Sequence, residues 1–204
     1  LSVDGRRLVN LDIANSQPLF LAVHLTREEE EGKGKEGEGR EEPYVLQIQS
    51  AKLCTANNGA GNLREFLAAC ERGEFYGRVS ACLDGALDYD TLKRRILASL
   101  FDRPQHRHRV HDAIGRAFPG VLEALARLKQ GDYRRAAHVA QRLESRLVIG
   151  QCVGRLTRER PELFISTIHD SILTTAGDEE VVRGVMVDAF RKLGVEPTLR
   201  VERY

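Results

Sequence analysis

The amino-acid sequence predicts an α+β protein in which strands from both ends of the chain form one antiparallel sheet and the intervening helices form a lobe. Three observations predict this class. Apolar, β-branched runs occur near the N-terminus and again after residue 160. Residues 61–158 have mainly helical apolar spacing. The last part of the chain then predicts a hairpin, a helix and a strand.

The composition sets bounds on the size and class of the protein. The chain has 204 residues, of which 42% are hydrophobic and 30% charged, enough for one core with a lobe built onto it. No run approaches the roughly 20 apolar residues that a membrane-spanning helix needs. The chain begins at Leu1 with neither an initiator methionine nor a signal peptide, so we expect it to be part of a longer protein.

The N-terminal region predicts strands interrupted by an acidic insertion. Residues 7–13 predict a buried strand, residues 18–23 a short apolar helix or a continuation of the strand, and residues 44–49 a returning strand. Residues 28–42 contain eight glutamates against three basic residues, with frequent glycines and nothing apolar to bury. We therefore expect residues 27–43 to form a disordered surface insertion.

The middle of the chain predicts a series of helices. Leu63, Phe66 and Leu67 recur at helical spacing, and the same pattern continues over residues 89–101, 105–116, 119–129, 132–158 and 178–193. Residues 161–177 predict a tight hairpin with His169 and Asp170 at its turn, and residues 198–203 predict a final strand. The helical middle therefore separates the N-terminal strands from the two strands of the hairpin and the final strand.

Charge and cysteine usage restrict the possible partners. Between Lys93 and Arg146 there are thirteen basic residues against five acidic ones, which is typical either of a polyanion-binding surface or of solvated helices. Arg142 belongs to this block, and the same alternatives apply to it. The four cysteines include no CxxC pair, so we expect free thiols in a cytoplasmic protein, with two disulfides as the alternative.

Three segments carry residues suited to phosphoryl transfer. Asp12 ends an apolar strand, Lys93, Leu97 and Phe101 follow one another at four-residue spacing on a helix, and Asp170 lies in the hairpin. Two carboxylates on adjacent strands can bind a pair of Mg²⁺ ions, and a lysine nearby can neutralise a triphosphate. This combination is typical of polymerases.

The motifs resemble those of family-A DNA polymerases, including their diverged phage and mobile-element branch. Asp12 to Ala22 is similar to motif A of the family, and Lys93 followed eight residues later by Phe101 is similar to its fingers helix. Gln141 resembles the glutamine that precedes motif C, and His169-Asp170 resembles motif C itself. The resemblance covers nearly all of the chain outside the acidic insertion.

The resemblance implies a right-hand fold that lacks the thumb, with an antiparallel palm sheet and a helical fingers lobe. Residues 1–60 would form the first part of the palm, residues 61–140 the fingers and residues 141–204 the second part of the palm. The protein would be a DNA polymerase in a bacterial, phage or mobile-element context. Its partners would be a primer-template and deoxynucleoside triphosphates, without a membrane.

The resemblance also implies a role for each matched residue. Asp12, Asp170 and the backbone carbonyl of Ile13 would bind two Mg²⁺ ions, or Mn²⁺ in their place. Lys93 and Tyr76 would contact the triphosphate, and Gln17 and Leu97 would contact the sugar. Phe101 would support the nascent base pair. His169 would contact the primer terminus, and Gln141 would contact the template or primer.

Four positions depart from the family pattern. Gln17 replaces the glutamate that blocks a ribose 2′-hydroxyl, Ser171 follows the motif C aspartate in place of glutamate, Tyr89 replaces an arginine, and Asp102 replaces a glycine. They leave two alternatives to a DNA polymerase. One is a polymerase-derived nucleic-acid-binding module that has lost catalysis, and the other is an RNA-making enzyme on the same scaffold.

Overall fold

The computed structural model describes residues 1–32, 60–83, 85, 87–103 and 108–204. In chain order these residues form β1 (Ser2–Val3), β2 (Arg6–Ile13), α1 (Ser16–Gly32), α2 (Ala60–Glu71), α3 (Phe75–Ala81), α4 (Tyr89–Phe101), α5 (Arg109–Ala117), α6 (Val121–Leu128), α7 (Arg135–Ser145), a π-helical segment (Arg146–Val153), α8 (Gly154–Glu159), β3 (Ser166–Ile168), β4 (Ser171–Thr175), a 3₁₀ turn (Ala176–Asp178), α9 (Glu179–Arg191) and β5 (Leu199–Arg203).

The strands form one antiparallel sheet, which confirms the predicted α+β class. The strand order is β3-β4-β2-β5, and β1 pairs with the first residues of β2. Strand β2 lies at the centre, and its side chains alternate between two faces. Leu11 and Ile13 are buried on the core face, whereas Asn10 and Asp12 are half-buried on the opposite face. The sheet therefore has one apolar and one polar face.

Helices cover the apolar face and join it to the lobe. α9 packs on β2 and β4, and α1 packs along α2 and α7. Farther out, the rings of Phe66, Phe75 and Phe118 contact one another with centroids 5.2–5.6 Å apart, joining α2, α3 and the end of α5. All three rings are almost fully buried. The core of the sheet and that of the lobe are thus continuous.

The α4 helix has the predicted bounds of residues 89–101 because strong local signals define its start. The Asp88 side chain accepts a hydrogen bond from the backbone N–H of Thr91 at 2.9 Å, an N-cap that satisfies an otherwise unpaired donor. Leu92, Ile96 and Leu100 are buried on one side of the helix. Their burial turns the adjacent Lys93–Leu97 side toward the polar face of the sheet.

The α1 helix is longer than the short helix predicted after residue 18. It continues to Gly32 and so includes the first six residues of the segment expected to be a disordered insertion. Glutamate is a good helix former, and Gly32 is the first strong helix breaker after Pro18. Residues 33–43 of the predicted insertion, the predicted strand 44–49 and Cys54 lie outside the described residues.

The other predicted elements are found with small changes. The predicted helix 132–158 is a continuous helical segment, but residues 146–153 adopt π-helical hydrogen bonding between α7 and α8. The hairpin and the last strand lie at residues 166–175 and 199–203. Cys70, Cys82 and Cys152 are free thiols, as predicted. No helix in the described part of the chain is long and apolar enough to cross a membrane.

We predict that Phe66→Ala destabilises the protein by about 3–5 kcal/mol, because it leaves a cavity between the α2, α3 and α5 aromatic rings. Phe66→Leu, which keeps most of the buried volume, should cost clearly less. Urea unfolding followed by circular dichroism measures both changes. A loss below about 1 kcal/mol for Phe66→Ala would contradict the central position of this ring in the core.

Candidate functional site

An open cavity of about 410 Å³ borders the polar face of the sheet. Six separate segments of the chain contribute to its walls. Nine of the ten residues implied by the polymerase resemblance line it, namely Asp12, Ile13, Gln17, Tyr76, Lys93, Leu97, Gln141, His169 and Asp170. The other lining residues are Asn15, Ser16, Pro18, Tyr89, Glu144 and Arg200. The volume lies within the usual range for small-molecule sites.

Strand register brings the two aspartates together. Asp12 on β2 lies directly opposite Ser171 on β4, and Asp170 immediately precedes Ser171. On its other side, Asp12 lies directly opposite Arg200 on β5. Side chains directly opposite each other in an antiparallel pair project from the same face of the sheet. Asp12 and Arg200 therefore share the polar face, with the turn that carries Asp170 beside them.

The hairpin turn that carries Asp170 is short and strained. His169 and Asp170 are the only residues between Ile168 of β3 and Ser171 of β4, which pair with each other. His169 has a φ of 54°, an uncommon backbone conformation for a residue other than glycine. Ser171 is buried, and its hydroxyl donates a hydrogen bond to the carbonyl of Ile168 at 2.8 Å. This bond closes the turn and fixes the position at which Asp170 leaves the strand.

The α4 wall of the cavity contains Lys93 and Leu97, one turn apart. Phe101 does not line the cavity. It lies one turn beyond Leu97, at the last residue of the helix, whereas Tyr89, Lys93 and Leu97 on the preceding turns line the cavity. Phe101 is half-buried against the core instead. The predicted common face of Lys93, Leu97 and Phe101 therefore holds for the first two residues only.

Of the remaining residues expected at the site, Tyr76 and Gln141 line the cavity and Arg142 does not. Tyr76 on α3 is buried and contacts the ring of Tyr89 on α4, with centroids 5.8 Å apart. Burial raises the pKa of the Tyr76 phenol, so it is neutral near pH 7. Gln141 lines the cavity, whereas its neighbour Arg142 is exposed on α7 outside the lining.

The electrostatics of the cavity are dominated by closely placed carboxylates. Burial raises the pKa of Asp12, and the negative charge of Asp170 raises it further. The positive charges of Arg200 and Lys93 act in the opposite direction. Asp12 is therefore held as a partly desolvated carboxylate beside a second one, an arrangement that a bound cation would stabilise.

Glu144 on α7 adds a third carboxylate to the cavity. The side-chain amide of Gln17 donates a hydrogen bond to it, which joins the start of α1 to α7. Burial and the charge of Asp170 raise the pKa of Glu144, while His169 and the bond from Gln17 lower it. Sequence analysis did not identify Glu144, because nothing local distinguishes it from other charged residues of the basic block.

Asn15 is another cavity residue that sequence analysis missed. It has a φ of 55°, is 8% exposed, and donates a hydrogen bond from Nδ2 to the carbonyl of Cys70 at 3.4 Å. Its Oδ1 accepts no hydrogen bond from the described residues. Asparagine tolerates the left-handed backbone conformation better than most residues. An asparagine between a predicted strand and a predicted helix could therefore have indicated a sharp turn at this position.

The oxygen ligands of the cavity fit the Mg²⁺ ions that the resemblance implies. Mg²⁺ prefers oxygen ligands and usually takes one or two carboxylates from the protein and the rest from water and substrate phosphates. Asp12 and Asp170 supply two carboxylates, and Ile13 supplies a backbone carbonyl in the same wall. No group of three or more histidine, cysteine, aspartate or glutamate side chains arranged for a metal ion occurs within the described ranges. Two carboxylates alone are the donor set typical of a substrate-completed Mg²⁺ site.

Comparison with known proteins assigns no family to the chain. No protein-family model matches the sequence, and a search of curated proteins finds no match. The function is therefore inferred from the residues that line the cavity.

We predict that Asp12→Asn stabilises the metal-free protein by about 0.5–1 kcal/mol near pH 7. Folding raises the pKa of Asp12, so the folded protein binds more protons than the unfolded chain between the ordinary and raised values. Its stability therefore falls as the pH rises through this window, and the advantage of the asparagine disappears below it. Urea unfolding in a chelating buffer at several pH values measures the effect.

A double-mutant cycle separates repulsion from burial. If Asp170 repels Asp12, Asp12→Asn should gain less stability in an Asp170→Asn background than in the parent protein. Asp188→Asn is the matched control, because Asp188 is exposed on α9 and pairs with Arg155. Additive effects of the two cavity substitutions would contradict the repulsion, and a gain from Asp188→Asn would indicate a general charge effect.

Proposed function

We propose that this chain contains the nucleotidyltransferase centre of a template-directed DNA polymerase of the family-A type. It would extend the 3′-hydroxyl of a primer with deoxynucleoside triphosphates by a two-metal mechanism. The observation that carries the proposal is the common cavity of nine residues from five segments that motif resemblance alone had selected. Residues 12 and 170 are far apart in the chain, so sequence proximity does not explain their meeting.

The fold supports the proposal through the position of the two carboxylates. The sheet is antiparallel, one aspartate lies on β2 and the other in the turn that leads into the neighbouring β4, and helices cover the opposite face. This general α+β arrangement is compatible with a polymerase palm, and the helices within residues 61–140 are compatible with fingers. The polar face of the sheet would then face the primer-template.

Metal binding would belong to Asp12, Asp170 and the backbone carbonyl of Ile13. Bound Mg²⁺ would act as a Lewis acid toward the attacking and leaving oxygens. The protein contributes carboxylates whose mutual repulsion makes cation binding favourable and a strained turn that fixes Asp170. Mn²⁺, with similar ligand preferences, would bind to the same oxygens.

The transfer step requires little further chemistry from side chains. The primer 3′-oxygen forms a bond to the α-phosphorus, the bond from this phosphorus to the bridging β-phosphate oxygen breaks, and pyrophosphate leaves. The hydroxyl proton passes to water. Lys93 would hold the phosphates, and its ammonium would stabilise negative charge on the leaving group. Tyr76 and Leu97 would limit the space around the nucleotide.

The nucleic-acid partner would contact the cavity from α7 and the hairpin. Gln141 and His169 line the cavity and offer polar groups to a primer or template. Arg142 is exposed beside Gln141, within the basic block between residues 93 and 146. Positive side chains at such a surface bind the phosphate backbone independently of sequence. This distribution of positive charge beside the cavity favours a primer-template as the substrate that binds together with the nucleotide.

We predict that the full protein extends a DNA primer on a DNA template in Mg²⁺ and that Asp170→Asn lowers the extension rate at least about 100-fold. The substitution keeps the size of the side chain and removes the charge on which cation binding depends. Asp188→Asn, on exposed α9, should leave the rate unchanged. Gel-resolved primer extension under single-turnover conditions measures the three rates.

Two outcomes would contradict the proposal. Extension that is equally fast with Asp170→Asn would show that the activity does not use this cavity. No extension by the parent protein, despite tight binding of the primer-template, would favour the alternative of a nucleic-acid-binding module without catalysis.

A further inference from the structure

Arg200 places a second permanent positive charge at the cavity, on the wall opposite the carboxylate-bearing hairpin. It lies on β5 directly across from Asp12, whose other strand neighbour is Ser171 on β4. Burial raises the pKa of both Asp12 and Tyr76, and the positive charge of Arg200 opposes that rise at each of them. Tyr76 in turn contacts Tyr89 on the first turn of α4, and Lys93 lines the same cavity one turn farther along that helix.

The Arg200 guanidinium differs from those of other arginines near the end of the chain. Arg203 on the same strand pairs with the buried carboxylate of Glu179 at 2.8 Å, and Arg191 pairs with Glu196 at 3.0 Å. Among the described residues, no hydrogen bond or ion pair within 4 Å fixes the Arg200 side chain, although Asp12 lies directly across from it in the sheet. Its donors are therefore available to a ligand in the cavity.

The cavity is lined by charges of both signs. Asp12, Asp170 and Glu144 supply three carboxylates, and Lys93 and Arg200 supply two cations. A free anion would be repelled by the carboxylates, and a free metal ion would leave the two cations without a partner. A metal-bound polyphosphate satisfies both groups, because its metal meets the carboxylates and its phosphate oxygens meet the cations. Tyr89 at the start of α4 supplies no charge, so Lys93 is the α4 cation among the lining residues.

We propose that Arg200 is a phosphate-binding residue that, together with Lys93, selects a nucleoside triphosphate over a monophosphate. This inference rests on the proposed polymerase function. The planar guanidinium donates paired N–H groups to two oxygens of a phosphate, and lysine acts as a point charge. A nucleotide held by Lys93 and Arg200 would have its polyphosphate between α4 and β5 and its metal-binding oxygens toward Asp12.

The test measures nucleotide binding without turnover. The full protein is bound to a primer-template whose primer ends in a dideoxynucleotide, in Mg²⁺, and titrated with the templated deoxynucleoside triphosphate, an α,β-imido analogue or the monophosphate. Arg200→Gln should weaken binding of both triphosphates about tenfold and change monophosphate binding less than about twofold. Arg200→Lys should retain part of the affinity, and Arg191→Gln, remote on α9, should match the parent protein.

The outcomes separate this inference from the function on which it rests. If the parent protein binds triphosphate and Arg200→Gln binds it equally well, the role of Arg200 is wrong and the proposed function is unaffected. If Arg200→Gln weakens primer-template binding alone, Arg200 contacts a strand phosphate, which also overturns the inference. If the parent protein binds primer-template but no triphosphate, both proposals fail. An unchanged thermal unfolding midpoint establishes that Arg200→Gln is folded.

Discussion

The antiparallel pairing of β2 with β4 and β5 determines which side chains meet at the cavity. Because side chains alternate between faces, a shift of one residue would move Asp12 into the apolar core and expose Leu11 or Ile13. Burial of Leu11 and Ile13 therefore fixes the register, and the register in turn places Asp12 beside Ser171 and Arg200. Packing on the apolar face of the sheet therefore determines which polar side chains meet on the other face.

The cavity contains features that oppose stability. Asp12 and Glu144 are partly desolvated beside Asp170, and His169 and Asn15 adopt left-handed backbone at its edge. Such features persist only where surrounding contacts hold them in place. Here these contacts are the hydrogen bond that closes the hairpin turn, the hydrogen bond from Asn15 to the carbonyl of Cys70, and the aromatic core next to α3. The proposed metal-bound phosphate ligand would offset these costs, because it would supply charges opposite to those of the cavity residues.

The sequence predicts the helices and strands better than it predicts which of their side chains come together in the cavity. Helix α4 follows from its Asp88 cap and apolar spacing, and the hairpin follows from two β-branched runs around His169 and Asp170. Resemblance to polymerase motifs then selected most of the cavity residues. It did not select Arg200 or Glu144, because their positions depend on strand register and on helix packing across long sequence separations. Phe101 lies away from the cavity because the cavity extends along α4 only as far as Leu97, and the last turn of the helix packs against the core.

The central claim is that Asp12 and Asp170 act together as ligands of divalent cations. Mn²⁺, as a spectroscopic substitute for Mg²⁺, reports this directly by electron paramagnetic resonance, because free and bound ions have distinct signals. In the presence of primer-template and a non-hydrolysable triphosphate, we expect the parent protein to bind two Mn²⁺ ions more than the substrates bind alone. The Asp12→Asn/Asp170→Asn double variant should bind neither of them. Equal Mn²⁺ binding by the parent protein and the double variant would contradict the claim.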